Sequence, residues 1–277
     1  MSPTGLLHAA TRHQRAEGAV RVGFGVRDGQ TRLTDLYQAG CLKARFPRTI
    51  DAAEAIVVNS SGGVAGGDRL DLAVDVAAGA SAVLTAQAAE RFYRASEGSV
   101  AARVRGAVTL AGGARLDWLP QESILFDGSA LDRALDIEMA EDAVFLSIEA
   151  VLFGRAAMGE TVRHGLMRDK ITVRRAGRLL FHDAVRLDGD MAAALDRAAV
   201  GGGARAMATV VYVAPDAPDR LDALRASLAG VEAGASCWDG MIVARLLARD
   251  GAALRAASVA ALSVMRDGRT LPRSWSL

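Results

Sequence analysis

VAAGASAVLT (76–85), LAGGARLDWL (110–119) and MAEDAVFLSI (139–148) are three versions of one unit. Each has an apolar residue and an alanine, two turn-forming positions, a second alanine, and then a strand-like run. The offsets are 34 and 29 residues, an irregular period. Alternation of apolar with polar or small residues continues outside the units, in LDLAVDV (70–76) and LDIEM (135–139). A period of two buries one strand face and leaves the other polar. Two architectures satisfy this pattern. One is a stack of β-coils in which each layer buries its neighbour; the other is an ordinary β-sandwich with recurrent turn chemistry.

Working outward, residues 1–18 read as a loose N-terminal arm and residues 19–190 as a β body. ITVRRAGRLLF (171–181) reads as a hairpin about Ala176-Gly177. The pattern then changes, and residues 191–277 form an α/β C-terminal part. MAAALDRAA (191–199) suits a short helix, ATVVYVA (208–214) a strand, and GASCWDGMIVARLLARD (234–250) further strands. PDAPDRLDALRASLAG (215–230) has a proline near its start, leucines at helical spacing and a closing glycine. GAALRAASVAALSVMRDG (251–268) has the same helical character, giving two convincing C-terminal helices.

A segment rich in polar residues and glycine follows each unit: QAAERFYRASEG (87–98), PQESILFDGSA (120–130) and LFGRAAMGET (152–161). Stacked units would bring these connections to one side, a usual place for a working surface. NSSGGVAGGDRL (59–70) resembles a phosphate loop only in its glycines. Asp68 stands where a P-loop carries Lys-Ser/Thr, and the strand-like RLDLAVDV follows, so no helix N-terminus meets a phosphate. The glycines instead permit a sharp bend that sets Asp68 at the entry of the next strand.

Charge and composition remove other classes. The formal net charge is +1 with the two signs interspersed, which argues against nucleic acid. No run approaches the ~18 apolar residues of a membrane span, and the first residues lack a secretory pattern, so a cytoplasmic protein is expected. Two cysteines and four histidines, in no CxxC or HExxH pattern, cannot build a rich metal centre. A GxSxG nucleophile elbow is also missing. A hydrolase using Asp68 or Glu122 with His164, or with Ser60 or Ser61, remains the enzymatic alternative, and a purely structural β-solenoid the third reading.

GGVAGGD (62–68), AAERFYR (88–94), LDWLPQESILFDGSAL (116–131), LFGRAAMGE (152–160) and GRTLPRSW (268–275) resemble, in that order, the urease accessory protein family called UreD or UreH. The likeness runs from about Phe46 to Trp275; Asn59, Ser60 and Ser61 stand where many members carry a histidine or proline pair. The resemblance implies a non-enzymatic maturation factor, mostly β, with a β-helical stack of strands and two C-terminal helices. It implies three partners: apo-urease, a helical accessory protein of UreF type, and through it a nickel-carrying GTPase of UreG type. No cofactor is then held tightly; nickel passes in transit, through an internal tunnel.

Ni²⁺ in transit suits carboxylates and carbonyls, which release it, better than thiolate clusters. Acids beside glycine bends are the candidates: Asp68, Glu122 and Glu160, which the motifs contain, with Asp183 and Asp127. The plainer role for each is a salt bridge to an arginine such as Arg91, Arg94, Arg155 or Arg163. His164 and His182 are secondary candidates. Arg91, Tyr93 and Arg94 of ERFYR, and Arg273 and Trp275 of PRSW, are candidate partner contacts, aromatic–arginine mixtures being frequent at interfaces.

Overall fold

The computed structural model describes residues 15–49, 52–155 and 158–276. The first 14 residues of the expected arm lie outside them, and its end already belongs to a strand. The strands up to the C-terminal part are β1 (Glu17–Arg27), β2 (Gln30–Gly40), β3 (Leu42–Arg45), β4 (Ala53–Asn59), β5 (Arg69–Val76), β6 (Ser81–Ala86), β7 (Glu90–Phe92), β8 (Ala102–Leu110), β9 (Arg115–Leu119), β10 (Ser123–Leu125), β11 (Ala130–Met139), β12 (Val144–Phe153), β13 (Leu166–Arg175) and β14 (Arg178–Asp188). Then follow helix α1 (Met191–Asp196), β15 (Ala206–Val213), α2 (Ala217–Ser227), β16 (Glu232–Trp238), β17 (Met241–Ala248) and α3 (Gly251–Met265). The protein is mostly β, with three helices among the described residues, two of them long.

Two open sheets result. The first has the order β14-β13-β11-β8-β5-β1-β2, and the second β16-β17-β15-β12-β9-β6-β4-β3. Apart from the short β7 and β10, which the second sheet adds beside β12, the chain alternates between the sheets from β4 to β13, and each return pairs parallel with the strand it last left in that sheet. The repeat is this register. Val76 lies opposite Leu110 and Leu110 opposite Met139 in the first sheet; Ser81 lies opposite Arg115 and Arg115 opposite Val144 in the second. The second alanines, Ala80, Ala114 and Ala143, are fully buried at the corner between the sheets. Each closes a turn by donating its N–H three residues back, to Ala77, Ala111 and Ala140. Parallel neighbours sit only ~4.8 Å apart, so a small residue must recur at the same corner of every layer.

The strand period sorts side chains between two cores. Leu116, Trp118, Phe145 and Val151 face the first sheet, with Val74, Val108 and Ile137. Leu119, Leu146, Ile148 and Ala150 face the other way, against α2 and α3. Helix α3 buries Leu254, Ala257, Ser258, Ala261, Leu262 and Met265, one stripe at helical spacing. Its first turn is capped by Asp250, whose carboxylate accepts from Ala253 N at 2.8 Å. β15 pairs antiparallel with β12, so the C-terminal strands extend the second sheet. Ala176 and Gly177 both take positive φ in the β13–β14 hairpin, as a tight two-residue turn requires. No helix among the described residues is long and apolar enough to cross a membrane.

Candidate functional site

The three polar connections gather into one layer. Ile124 of β10 lies opposite Arg91 of β7, and Leu125 lies opposite both Phe92 of β7 and Phe153 of β12. The glycine loop joins through a parallel bridge from Val64 to Phe92. Here the loop's glycines serve close approach. A Cβ on Gly63 would stand 2.3 Å from the Tyr93 ring and 2.9 Å from the Arg91 carbonyl, and Gly63 holds φ +144°. A Cβ on Gly66 would stand 2.5 Å from Ser99 Oγ. The Tyr93 hydroxyl donates to the Gly62 carbonyl at 3.0 Å and its ring meets Phe126 edge-on.

Beneath this layer, between the two sheets, lies a cavity of about 290 Å³. Gly62, Gly63 and Glu90 line its loop end, with Leu72, Trp118 and Leu135 among its apolar walls and Arg133 and Glu149 as buried charges. The Arg133 guanidinium is 2.5 Å from Glu149 Oε2 and 2.5 Å from Asp169 Oδ2, and also donates to Ser123 Oγ. Trp118 Nε1 donates to Glu149 Oε1 at 2.8 Å. Arg133 and Asp169 are directly opposite in the parallel pair β11–β13, which explains their contact. Burial works against the Arg133 charge, yet the two carboxylates override it and hold the guanidinium above its ordinary range. Burial pushes the Glu149 carboxyl up, Asp169 adds to this, and Arg133 opposes it. With all three groups charged, the cluster carries one net negative charge. At the loop end, burial also pushes the Glu90 carboxyl up, although Asn59 Nδ2 donates to it at 3.0 Å.

The four acids placed on a cation path by sequence take other positions. Asp68 is 5% exposed and accepts from Ala16 N and Ala65 N, fastening the chain before β1 to the glycine bend. Glu122 pairs with Arg255 at 3.0 Å, Glu160 with Arg155 at 2.8 Å and Asp183 with Arg245 at 2.7 Å. None of the four lines the cavity; the acids that do are Glu90 and Glu149. Asp127 binds Arg94 and accepts from the N–H groups of Arg163 and His164; against burial, these donors hold its carboxyl below the ordinary value. The Arg155 hydrogen bond does the same for Glu160. Two of the partner arginines expected from sequence, Arg94 and Arg155, thus take acids within the connections, while Arg245 and Arg255 come from the C-terminal part. His164 stands 3.6 Å from Asp127, and the His182 ring shares a hydrogen bond with Thr172. Among the described residues, no three His, Cys, Asp or Glu side chains come together as a set able to hold a metal ion.

The candidate partner contacts divide. Arg91, Arg94 and Arg273 are exposed and Tyr93 is 37% exposed. Trp275 is 3% exposed: its Nε1 donates to the Leu119 carbonyl, and Arg255 lies over its ring at 4.2 Å. It locks the tail onto the second sheet of its own chain. Ser274 Oγ bonds Thr85 and accepts from Gln121, so GRTLPRSW reaches the back of the cavity wall. Glu149, Arg133 and Asp169 escaped the sequence reading because each sits singly in a strand pattern. The one signal was a charged residue at an inward position of the alternation, as in LDRALDI (131–137) and FLSIEAV (145–151).

Comparison with known proteins gives the family. The family described as UreD urease accessory protein matches residues 16–276. A protein named urease accessory protein UreD from Rhizobium leguminosarum bv. trifolii (strain WSM2304) is 47% identical over 270 residues, covering 97% of this chain and 98% of its own. One of the same name from Methylobacterium sp. (strain 4-46) is 50% identical over 273 residues, covering 95% and 96%. A third, from Azorhizobium caulinodans, is 46% identical over 271 residues, covering 97% and 99%. On a match that spans the cavity, its loop layer and the C-terminal clasp together, the chain belongs to the UreD urease accessory protein family.

Proposed function

We propose that this chain is a non-catalytic urease maturation factor whose β-helical body gives Ni²⁺ a protected route between partner proteins. The partners are apo-urease, a helical accessory protein of UreF type, and through it a nickel-carrying GTPase of UreG type. The observation that carries the reading is the cavity between the sheets, with carboxylates at its loop end and on its inner wall. Glu90 offers an oxygen donor near the surface, and Glu149, held by Arg133 and Trp118, sets carboxyl oxygens further in. Oxygen donors in ones and twos suit cargo that must leave again. Exposed Arg91, Tyr93 and Arg94 border the loop end and are placed to meet a partner; Arg273 is exposed beside the clasp.

The hydrolase reading lacks support at its nucleophiles. Ser60 Oγ donates to the Cys41 carbonyl, and Ser61 Oγ lies 2.7 Å from both Asn59 Oδ1 and the Gly63 carbonyl, with its one proton donated to one of them, so both hydroxyls fasten the loop. The test is to fill the cavity without touching the surface. Leu72→Trp, co-expressed with urease and the accessory proteins, is expected to assemble normally while urease nickel content falls severalfold, read by elemental analysis of the purified enzyme. Normal nickel loading in that assembled complex would refute the route.

A further inference from the structure

Asp117 follows Arg115 on β9 and precedes Trp118, so the strand alternation turns it away from the cavity and under α3. It is fully buried, and its Oδ2 accepts from Arg266 Nη1 at 2.6 Å. Arg269 Nη1 lies 3.4 Å from the same oxygen. Arg115 Nε lies 3.3 Å from Oδ1, without the alignment of a hydrogen bond. Three guanidinium groups therefore share one carboxylate. Arg266 spends its other donors on the carbonyls of Arg269 and Thr270. Arg269 Nε donates to the Arg266 carbonyl at 2.9 Å. Among the described residues, Arg115 Nε and Nη2 and Arg269 Nη2 are buried atoms with no acceptor, and Asp117 Oδ1 is a buried acceptor with no donor.

Neighbouring acids are already engaged. Asp216 accepts from Tyr212 and Arg220, and Asp267 pairs with Arg220. Burial pushes the nearby Glu54 carboxyl up, and the Arg266 charge opposes this. Burial holds the Arg269 guanidinium below its ordinary range; Asp117 opposes this, and the like charges of Arg115 and Arg266 reinforce it. The side chains of Arg115 and Arg269 are 22% and 27% exposed, so the cluster opens to the surface. Buried guanidinium donors without acceptors, in a group with excess positive charge, are the arrangement an oxyanion completes, because its oxygens match the planar fork.

We infer that Arg115 and Arg269 form a binding site for a single oxyanion, a phosphate, sulfate or carboxylate group, on the face of the second sheet opposite the cavity. The site lies towards the N-terminal ends of the strands, whereas the cavity opens towards their C-terminal ends.

The experiment is thermal unfolding of the full chain in sodium phosphate, sodium sulfate and sodium chloride at matched ionic strength. Phosphate or sulfate is expected to raise Tm by roughly 2–4 °C over chloride at an anion concentration about tenfold above its Kd. Arg115→Gln and Arg269→Gln are each expected to abolish that difference, while Arg178→Gln, in a distant hairpin, retains it. In chloride, Arg269→Gln is expected to lose only a little stability, because the lost donation from its Nε to the Arg266 carbonyl is offset by removing one of three like charges around Asp117. A merely structural Arg269 would instead lower Tm equally in all three salts, and that result overturns the site, as does a wild-type chain to which phosphate and sulfate give no more than chloride. A carboxylate on a partner protein shares this chemistry with a free ion. If the partner supplies it, both variants also lose co-purification with apo-urease or the helical accessory protein, and phosphate competes in wild type; if co-purification is unchanged, the free ion is the ligand.

Discussion

The two faces of the second sheet carry buried ionic clusters of opposite balance. On the cavity side, one guanidinium, Arg133, holds two carboxylates, Glu149 and Asp169. On the helix side, one carboxylate, Asp117, is held among three guanidinium groups, Arg115, Arg266 and Arg269. Trp118 and Asp117 are consecutive in β9, one bonded to each cluster, so a single step along a strand separates them. The comparison teaches where each region is fragile. A cluster with one ion of the minority sign collapses when that ion is lost, whereas one of several majority ions can be replaced by its neighbours. The cavity-side cluster also borders empty space, and the helix-side cluster is clasped by chain on either side of the α3 C-terminus.

Arg133→Met puts the largest expected effect on that contrast. It leaves Glu149 and Asp169 buried with no counter-charge, and breaking a buried pair from one side costs about 3–5 kcal/mol. Chemical unfolding at neutral pH should show this loss. Acidification should return part of it, because protonating the stranded carboxyls removes their charge. Arg266→Met removes the shortest contact to Asp117, yet Arg115 and Arg269 remain within 3.4 Å to neutralise it. A smaller loss of about 1–3 kcal/mol is expected, mostly from the orphaned carbonyls of Arg269 and Thr270. Equal losses in the two variants would break the comparison; a loss in Arg266→Met twice that in Arg133→Met would invert it.

Much of this frame is legible before any coordinates. The three alanine-turn-alanine units give the sheet register residue for residue, because stacking forces the same small side chain into the same corner. Helix α3 announces itself through its helical pattern and closing glycine, whereas its cap, Asp250, reads as the end of a strand. The site is less legible. Glycine-bend acids draw attention in sequence, but the bends supply partners of their own: buried Asp68 finds backbone N–H groups and Glu160 finds Arg155. The cavity acids Glu90 and Glu149 sit in strands, and what brings Arg133 to Glu149 is the crossing of two sheets, a contact no local pattern encodes. Trp275 misleads in the opposite sense: a tryptophan two residues after an arginine reads as a partner contact until the packing of its own chain is known.

The smallest effect sharpens the contrast between the cavity and the surface of the same loop layer. Glu90 and Asp127 both sit in that layer, but their carboxyls are displaced in opposite directions, Glu90 up by burial and Asp127 down by the His164 and Arg163 N–H groups and Arg94. The linkage follows from the proton counts. Above its ordinary value of 4.5, Glu90 retains its proton longer in the folded chain than in the unfolded chain, so stability falls as pH rises through that window. Asp127 loses its proton earlier in the folded chain, so its contribution is present above its ordinary value of 3.8 and is lost as pH falls below it. Glu90→Gln is therefore expected to remove a decline in Tm on raising pH above 4.5, and Asp127→Asn to remove a decline on lowering pH below 3.8. A Glu90→Gln profile parallel to wild type across the upper window would mean that Glu90 is solvated like a surface acid, and the cavity would lose its entrance donor.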